Sequence, residues 1–177
     1  ELHMFIRDIG DTDTESHLAL PKRNPALARL DFLELYPFRE IIKAGIGGVM
    51  VAHLDIPILD STGVPSTLSK PIISRLLKNE LNFEGLIVTD AMNMKGVTKD
   101  NSPGIVDKDA ILAGNDLLKF TVDVPLAIAE IRNAINQGLI SQAEIDKRCR
   151  KLLALKQWAG LNNYQPASSV DLLKKLN

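Results

Sequence analysis

Three places in this 177-residue chain put reactive side chains where they could do chemistry. The first is Asp90, which closes the run Gly85-Leu86-Ile87-Val88-Thr89-Asp90. Leu86, Ile87 and Val88 are apolar without alternation, the pattern of a strand buried on both faces in a parallel sheet. Asp90 therefore falls where the strand emerges from its packed layers, where α/β folds hold reactive groups on rigid backbone while the side chain meets solvent. Capping the next turn is the plainer use of the same residue. The second place is Gly10-Asp11-Thr12-Asp13-Thr14-Glu15-Ser16-His17, too rich in Gly, Asp, Thr and Ser for regular structure and so a loop. Glu15 and His17 can leave an extended or turning backbone on the same side and pair. A carboxylate beside an imidazole fixes one tautomer and raises its proton affinity, which makes a general acid or base near neutral pH. Incidental charges on a solvated loop are the alternative. The third is His53, at the end of the apolar run Gly47-Gly48-Val49-Met50-Val51-Ala52. It is either a satisfied core histidine or a group placed at a strand end for use.

The elements that must position these groups are strands alternating with helices. Residues 1–9 allow a strand at His3 to Ile6, and Leu18 to Arg29 continues as loop, with Pro21 and Pro25 forbidding an early helix. A helix is predicted over Tyr36 to Ala44, with Pro37 in its first turn and Gly45 ending it. After the His53 strand and a loop over Asp55 to Thr67, Ser69 caps a helix that has Ile72, Ile73, Leu76, Leu77 and Leu81 on one side. Asn93 to Gly104 reads as polar loop, Ile105 to Ala113 as helix, and Asn115 to Phe120 as a further strand. Val124 to Gln137 is a helix closed by Gly138. Ser141 and Glu144 form a capping box opening a long helix to Trp158. Residues 164–177 read as a linker and a short amphipathic tail. Three firm strands and a fourth in the first nine residues specify parallel βαβ units. That is too few for an eight-stranded barrel, which takes about 250 residues.

Composition narrows the partners. Twenty-one basic and 22 acidic residues are interspersed, so the net charge of -1 makes no electrostatic case for nucleic acid or an anionic membrane. The 45% hydrophobic content suits one soluble domain with a real core. A single cysteine, Cys149, excludes an internal disulfide and a cysteine-rich metal site, and its place in an apolar helical pattern predicts an inert core residue. No run approaches the length of a membrane span, and the N-terminus lacks signal-peptide regions. The chain reads as starting in the middle of something, so the latter says nothing about export.

The loop, the two strand ends and their order resemble glycoside hydrolase family 3, and within it the bacterial β-N-acetylhexosaminidases. The matching pieces are Gly10-Asp11-Thr12 with Glu15-Ser16-His17 and Leu18-Ala19-Leu20-Pro21, then Val49-Met50-Val51-Ala52-His53, then Phe83-Glu84-Gly85 through Thr89-Asp90-Ala91-Met92, then Ala113-Gly114-Asn115-Asp116-Leu117-Leu118. They run in the family's order between about Gly10 and Trp158. The resemblance implies an α/β fold, a partial (β/α)8 TIM barrel of roughly the C-terminal half, over residues 1–163. It implies a retaining glycosidase with Asp90 as nucleophile and His17 as acid/base, oriented by Glu15, with His53 and Met92 as substrate-binding residues. It implies neither cofactor nor metal.

Two departures accompany the match. The family's histidine type has an aspartate two residues before the acid/base, where this chain has Glu15, one methylene longer. The family's sugar-binding Lys-His pair falls on Met4 and Phe5. Two functions follow. One is release of terminal β-linked N-acetylglucosamine from glycans such as muropeptides, impaired in this chain. The other is a non-catalytic barrel fragment acting as a structural or oligomerising module. The expected partners are a glycan and either a second copy of the chain or the missing N-terminal half of the barrel. The compartment stays open between bacterial cytoplasm and periplasm. Half a barrel should also leave Val49, Val51, Ile87 and Val88 exposed on its inner layer.

Overall fold

Four short apolar segments pair side by side in the order in which they occur, β1 (Leu2–Phe5), β2 (Gly48–Val51), β3 (Leu86–Ala91) and β4 (Leu117–Lys119), every pair parallel. The structure is a computed structural model that describes residues 2–5, 19–22, 26–99 and 102–164. Glu15 and His17, and the tail beyond residue 164, lie outside the described residues. Consecutive parallel strands need crossovers, and helices supply them: α1 (Leu27–Arg29) with a π-wound turn Leu30–Glu34 and α2 (Tyr36–Lys43) before β2, and the π-wound helix Pro71–Glu80 before β3. Then α3 (Lys95–Thr98) and α4 (Ile105–Ala113) lead to β4, followed by α5 (Val124–Asn136) and α6 (Gln142–Trp158). This is an α/β arrangement of about half an eight-stranded barrel, as the strand count anticipates.

Two stretches read as loop are helical. Leu27–Arg29, the end of the stretch read as loop, winds and runs on into Leu30–Glu34 despite the nearby prolines, because a proline just ahead of a helix removes only a donor that has no partner there. Lys95–Thr98 makes one turn inside the polar segment after β3, with Val97 buried against Met92, Val106 and Ala110.

The main core lies between the sheet and the helix Pro71–Glu80. Val49, Val51 and Ile87 pack there with Ile72, Ile73, Leu76 and Leu77. This corrects the expectation that Val49, Val51, Ile87 and Val88 are exposed: all four are buried in this chain. The first three point to the helix side, and period-two alternation sends Leu86, Val88 and Asp90 of β3 to the other, concave side. Val88 lines the concave side, in a cavity of about 1010 Å³ bordered also by Leu86, Leu117, Leu155 and Trp158.

Helix α6 runs across the N-terminal ends of the strands. Lys151 donates from Nζ to the Gly85 carbonyl at 3.0 Å and to Asp116 Oδ2 at 2.8 Å, while Arg148 donates to the Ile111 carbonyl at 2.8 Å. Asp116 Oδ2 also accepts from the Ile87 N–H at 2.9 Å. Ser141 caps the helix by accepting from the Glu144 N–H. The sunken stripe of α6 follows Ile145, Arg148, Lys151 and Leu155. Cys149 lies beside that stripe and is exposed, not a core residue, because polar anchors rather than an apolar face decide which side of α6 turns inward.

Gly85 sits where β2 and β3 first meet. A Cβ there would stand 2.7 Å from the Gly47 carbonyl oxygen, the acceptor of the Leu86 N–H, and 2.5 Å from the Phe83 ring. We expect Gly85→Ala to cost about 1–3 kcal/mol by prying the strands apart at that point, read as a lower denaturant midpoint at unchanged slope. An unshifted midpoint would show that this approach tolerates a methyl group.

Candidate active site

The C-terminal ends of β2 and β3 bring Asp90 and His53 into one assembly. Asp90 is the next concave-side residue after Val88, and its side chain is 19% exposed. Its Oδ1 accepts from the Ala91 N–H at 2.8 Å and lies 3.7 Å from Lys119 Nζ. Oδ2 is the oxygen without a hydrogen bond among the described residues. A carboxylate held by one oxygen, on the concave side of the sheet and partly exposed, can act as a nucleophile or a base.

His53 follows β2 by two residues and is 1% exposed. Its Nε2 is 3.0 Å from the Ala91 carbonyl and its Nδ1 is 2.7 Å from Thr67 Oγ1. A carbonyl only accepts, so Nε2 carries the proton and Nδ1 accepts from the threonine hydroxyl. The Thr67 carbonyl in turn accepts from Asn115 Nδ2 at 2.8 Å, and Asn115 donates to the Ala110 carbonyl as well. His53 thus ties β2 to the peptide that follows Asp90, and its ring nitrogens both face protein. Met92 is buried with Val97, Val106 and Ala110, and its N–H donates to the Lys119 carbonyl. The structure places both predicted substrate-binding residues behind Asp90, inside the fold.

Burial lowers the His53 pKa below the ordinary imidazole value, outweighing the Ala91 carbonyl and the Asp90 charge, which raise it; Lys119 lowers it further. The native ring is neutral. As pH falls below about 6.5, the unfolded chain takes up a proton that the folded chain refuses, so stability declines from there toward the depressed folded value. We expect the melting temperature to drop between pH 7 and 5.5, and His53→Gln to flatten that slope while lowering stability overall. An equally steep slope in the variant would assign the effect to another group.

Residues 19–22, which follow Glu15 and His17 in sequence, are described. The Pro21 carbonyl accepts from the Asp55 N–H at 2.9 Å, and Lys22 bridges to Asp55. Gly96 packs so closely on Ala19 that a Cβ would lie 3.3 Å from its carbonyl oxygen. Residues 19–22 therefore run along the loops that follow His53 and Asp90, at the same end of the sheet.

Sequence reasoning did not single out Thr67, Asn115 or Lys119. The signal for Lys119 was present, since it ends an apolar strand just as Asp90 nearly does; Thr67 sits in a single 3-10 turn, Ser66–Leu68, with no pattern to mark it, and Asn115 falls in a matching family segment that by itself assigns it no role. Among the described residues, no group of three or more His, Cys, Asp or Glu could hold a metal ion, and no helix is long and apolar enough to cross a membrane.

Compared with known proteins, residues 5–155 match the family model of the glycosyl hydrolase family 3 N terminal domain. The chain is 29% identical over 167 residues to the beta-hexosaminidase A of Pseudoalteromonas piscicida, covering 83% of this chain and 28% of that protein. It is 32% identical over 109 residues to a beta-hexosaminidase of Nitrosospira multiformis, covering 62% of this chain and 31% of that one. Among solved structures, a glycoside hydrolase family 3 beta-N-acetylglucosaminidase from Paenibacillus sp. str. FPU-7 superposes with a TM-score of 0.83 at 37% identity, covering 90% of this chain and 31% of that chain. The chain thus spans about three tenths of the length of these relatives.

Proposed function

Because this chain belongs to glycosyl hydrolase family 3, we propose that it carries the nucleophile side of a retaining β-N-acetylhexosaminidase site, which releases terminal β-linked N-acetylglucosamine from glycans such as muropeptides. The observation that carries this reading is Asp90, anchored through Oδ1 by the Ala91 N–H on the concave side of the sheet with Oδ2 left for reaction. Asp90 Oδ2 bonds to the anomeric carbon as the bond from that carbon to the glycosidic oxygen breaks, and the departing oxygen takes a proton from His17. Water then loses a proton to the same imidazole and adds at the anomeric carbon, freeing the carboxylate. Glu15 orients His17. His53, neutral and tied to the Ala91 carbonyl, fixes the Ala91–Met92 peptide just beyond Asp90, and the Met92 side chain is buried there. The names of the relatives support the substrate class.

A mechanism-based fluorinated N-acetylglucosaminide tests the reading. Peptide mapping should find one sugar adduct, on Asp90; an adduct on another residue defeats it. The acid/base assignment has its own expected result. Replacing His17 by Ala should slow substrates with poor leaving groups at least about a hundredfold while sparing activated aryl glycosides, because only the former need a proton delivered. Equal losses on both would remove the role. Glu15→Asp, which restores the residue of the resembled pattern, should not reduce the rate.

A further inference from the structure

Lys119 occupies the one remaining charged position on the concave side of the described strands. It ends β4 opposite Ala91, and its backbone is clamped around Asp90: its N–H donates to Thr89 Oγ1 at 3.1 Å and its carbonyl accepts from the Met92 N–H at 2.8 Å. Its ammonium lies beside the carboxylate, 3.7 Å from Asp90 Oδ1 and 3.4 Å from Met50 Sδ, with the Phe120 ring centre at 5.9 Å. A sulfur is a weak acceptor, and 3.7 Å is an ion-pair distance rather than a hydrogen bond. Three N–H donors therefore have no oxygen acceptor within hydrogen-bond distance among the described residues. The side chain is 39% exposed, on the side toward which Asp90 opens.

We propose that Lys119 is a sugar-binding residue, whose ammonium donates to a hydroxyl of the sugar that Asp90 attacks. The assignment rests on the reading of Asp90 as nucleophile. An unpaired cation would oppose the positive charge that develops at the anomeric carbon. Paired with Asp90 it does not, and the pair presents one acceptor and one donor to a neutral, hydroxyl-rich ligand. The cation also favours departure of the carboxylate when water breaks the ester, since Asp90 regains its charge beside it.

Two measurements on the full chain test this. In the first, lysine acylation by an N-hydroxysuccinimide ester is mapped by mass spectrometry with and without free N-acetylglucosamine. The sugar should slow modification of Lys119 severalfold and leave Lys43, whose side chain is 71% exposed, unchanged. In the second, Lys119→Met should slow adduct formation at Asp90 by about ten- to a hundredfold, the range for one lost hydrogen bond to a charged group, with Lys119→Arg restoring much of it. A normal adduct rate in Lys119→Met together with no protection of Lys119 overturns the proposal and leaves the nucleophile standing. If wild-type Asp90 takes no adduct, the functional reading fails; protection of Lys119 would then still support a sugar contact, and its absence would overturn that as well.

Discussion

Asp90→Asn should leave a folded chain that forms no sugar adduct and hydrolyses aryl N-acetylglucosaminides at least about a thousandfold more slowly, the scale on which losing a covalent nucleophile acts. The two halves of that expectation have different causes. Asparagine keeps an oxygen at the Oδ1 position, so the Ala91 N–H retains its acceptor. What the native state loses is an ion pair with Lys119 at 3.7 Å between two partly exposed side chains. Such pairs are worth about 0–1 kcal/mol, so the melting temperature should barely move. The chemistry loses far more, because an amide oxygen is a poor nucleophile and the two-step route with its ester intermediate disappears. The adduct measurement suits a slow enzyme, since each event accumulates on the protein and can be counted by mass. A variant that hydrolyses within tenfold of the wild type, with matched folding, would show that Asp90 is not the attacking group. His53→Gln should separate from Asp90→Asn. It should weaken adduct formation through displacement of the Ala91 peptide and lower stability as well, whereas Asp90→Asn removes the reaction and spares the fold.

The parts of this arrangement legible in the sequence are those fixed by local pattern. Val49 to Val51 and Leu86 to Val88 are short apolar runs each preceded by a glycine, and they form most of the two central strands. Ser141, Gly138 and Pro37 mark helix ends by chemistry that needs no tertiary context, and those ends fall close to where they were read. What local pattern does not carry is which face of an element turns inward. Val49 and Ile87 are equally apolar whether they meet helices or barrel interior, and only the pairing of β2 with β3 under the helix Pro71–Glu80 decides it. Cys149 shows the same limit on α6, where Arg148 and Lys151 choose the buried side by reaching carbonyls far away in sequence. The site divides likewise. Asp90 stands at a strand end and is visible there. The bond from His53 to the Ala91 carbonyl spans 38 residues, and that from Asn115 to the Thr67 carbonyl spans 48, so neither leaves a trace in spacing.

The chain by itself should associate and should hydrolyse poorly, and both follow from how its sheet ends. The described sheet runs from β1 to β4 with no partner beyond either, so one long edge of each strand presents unpaired N–H and carbonyl groups. Its concave side encloses about 1010 Å³ lined by Leu86, Val88 and Leu117, and Trp158 at its rim is 82% exposed. The helix-covered side is a closed core, so the chain has the means to fold cooperatively; the concave side, which a full barrel would enclose, keeps an apolar wall open to water. Covering that surface with a second copy removes both edges and the apolar wall from water at once, which is the condition for a stable pair. A sugar bound at Asp90 would in turn lack contacts from whatever strands complete the wall, each charged hydrogen bond being worth about 1.5–3 kcal/mol. We therefore expect light scattering to give a mass above the monomer at tens of micromolar, falling on dilution, with hydrolysis of aryl N-acetylglucosaminides far below the range of about 1–1,000 per second common among enzymes. If copies complete the site for one another, the rate per chain should rise with concentration along the same curve as the mass. A rate that stays flat while the mass rises would support the oligomerising module over the enzyme. A strict monomer at every concentration, turning over at an ordinary enzymatic rate, would mean that four strands suffice for both the fold and the site.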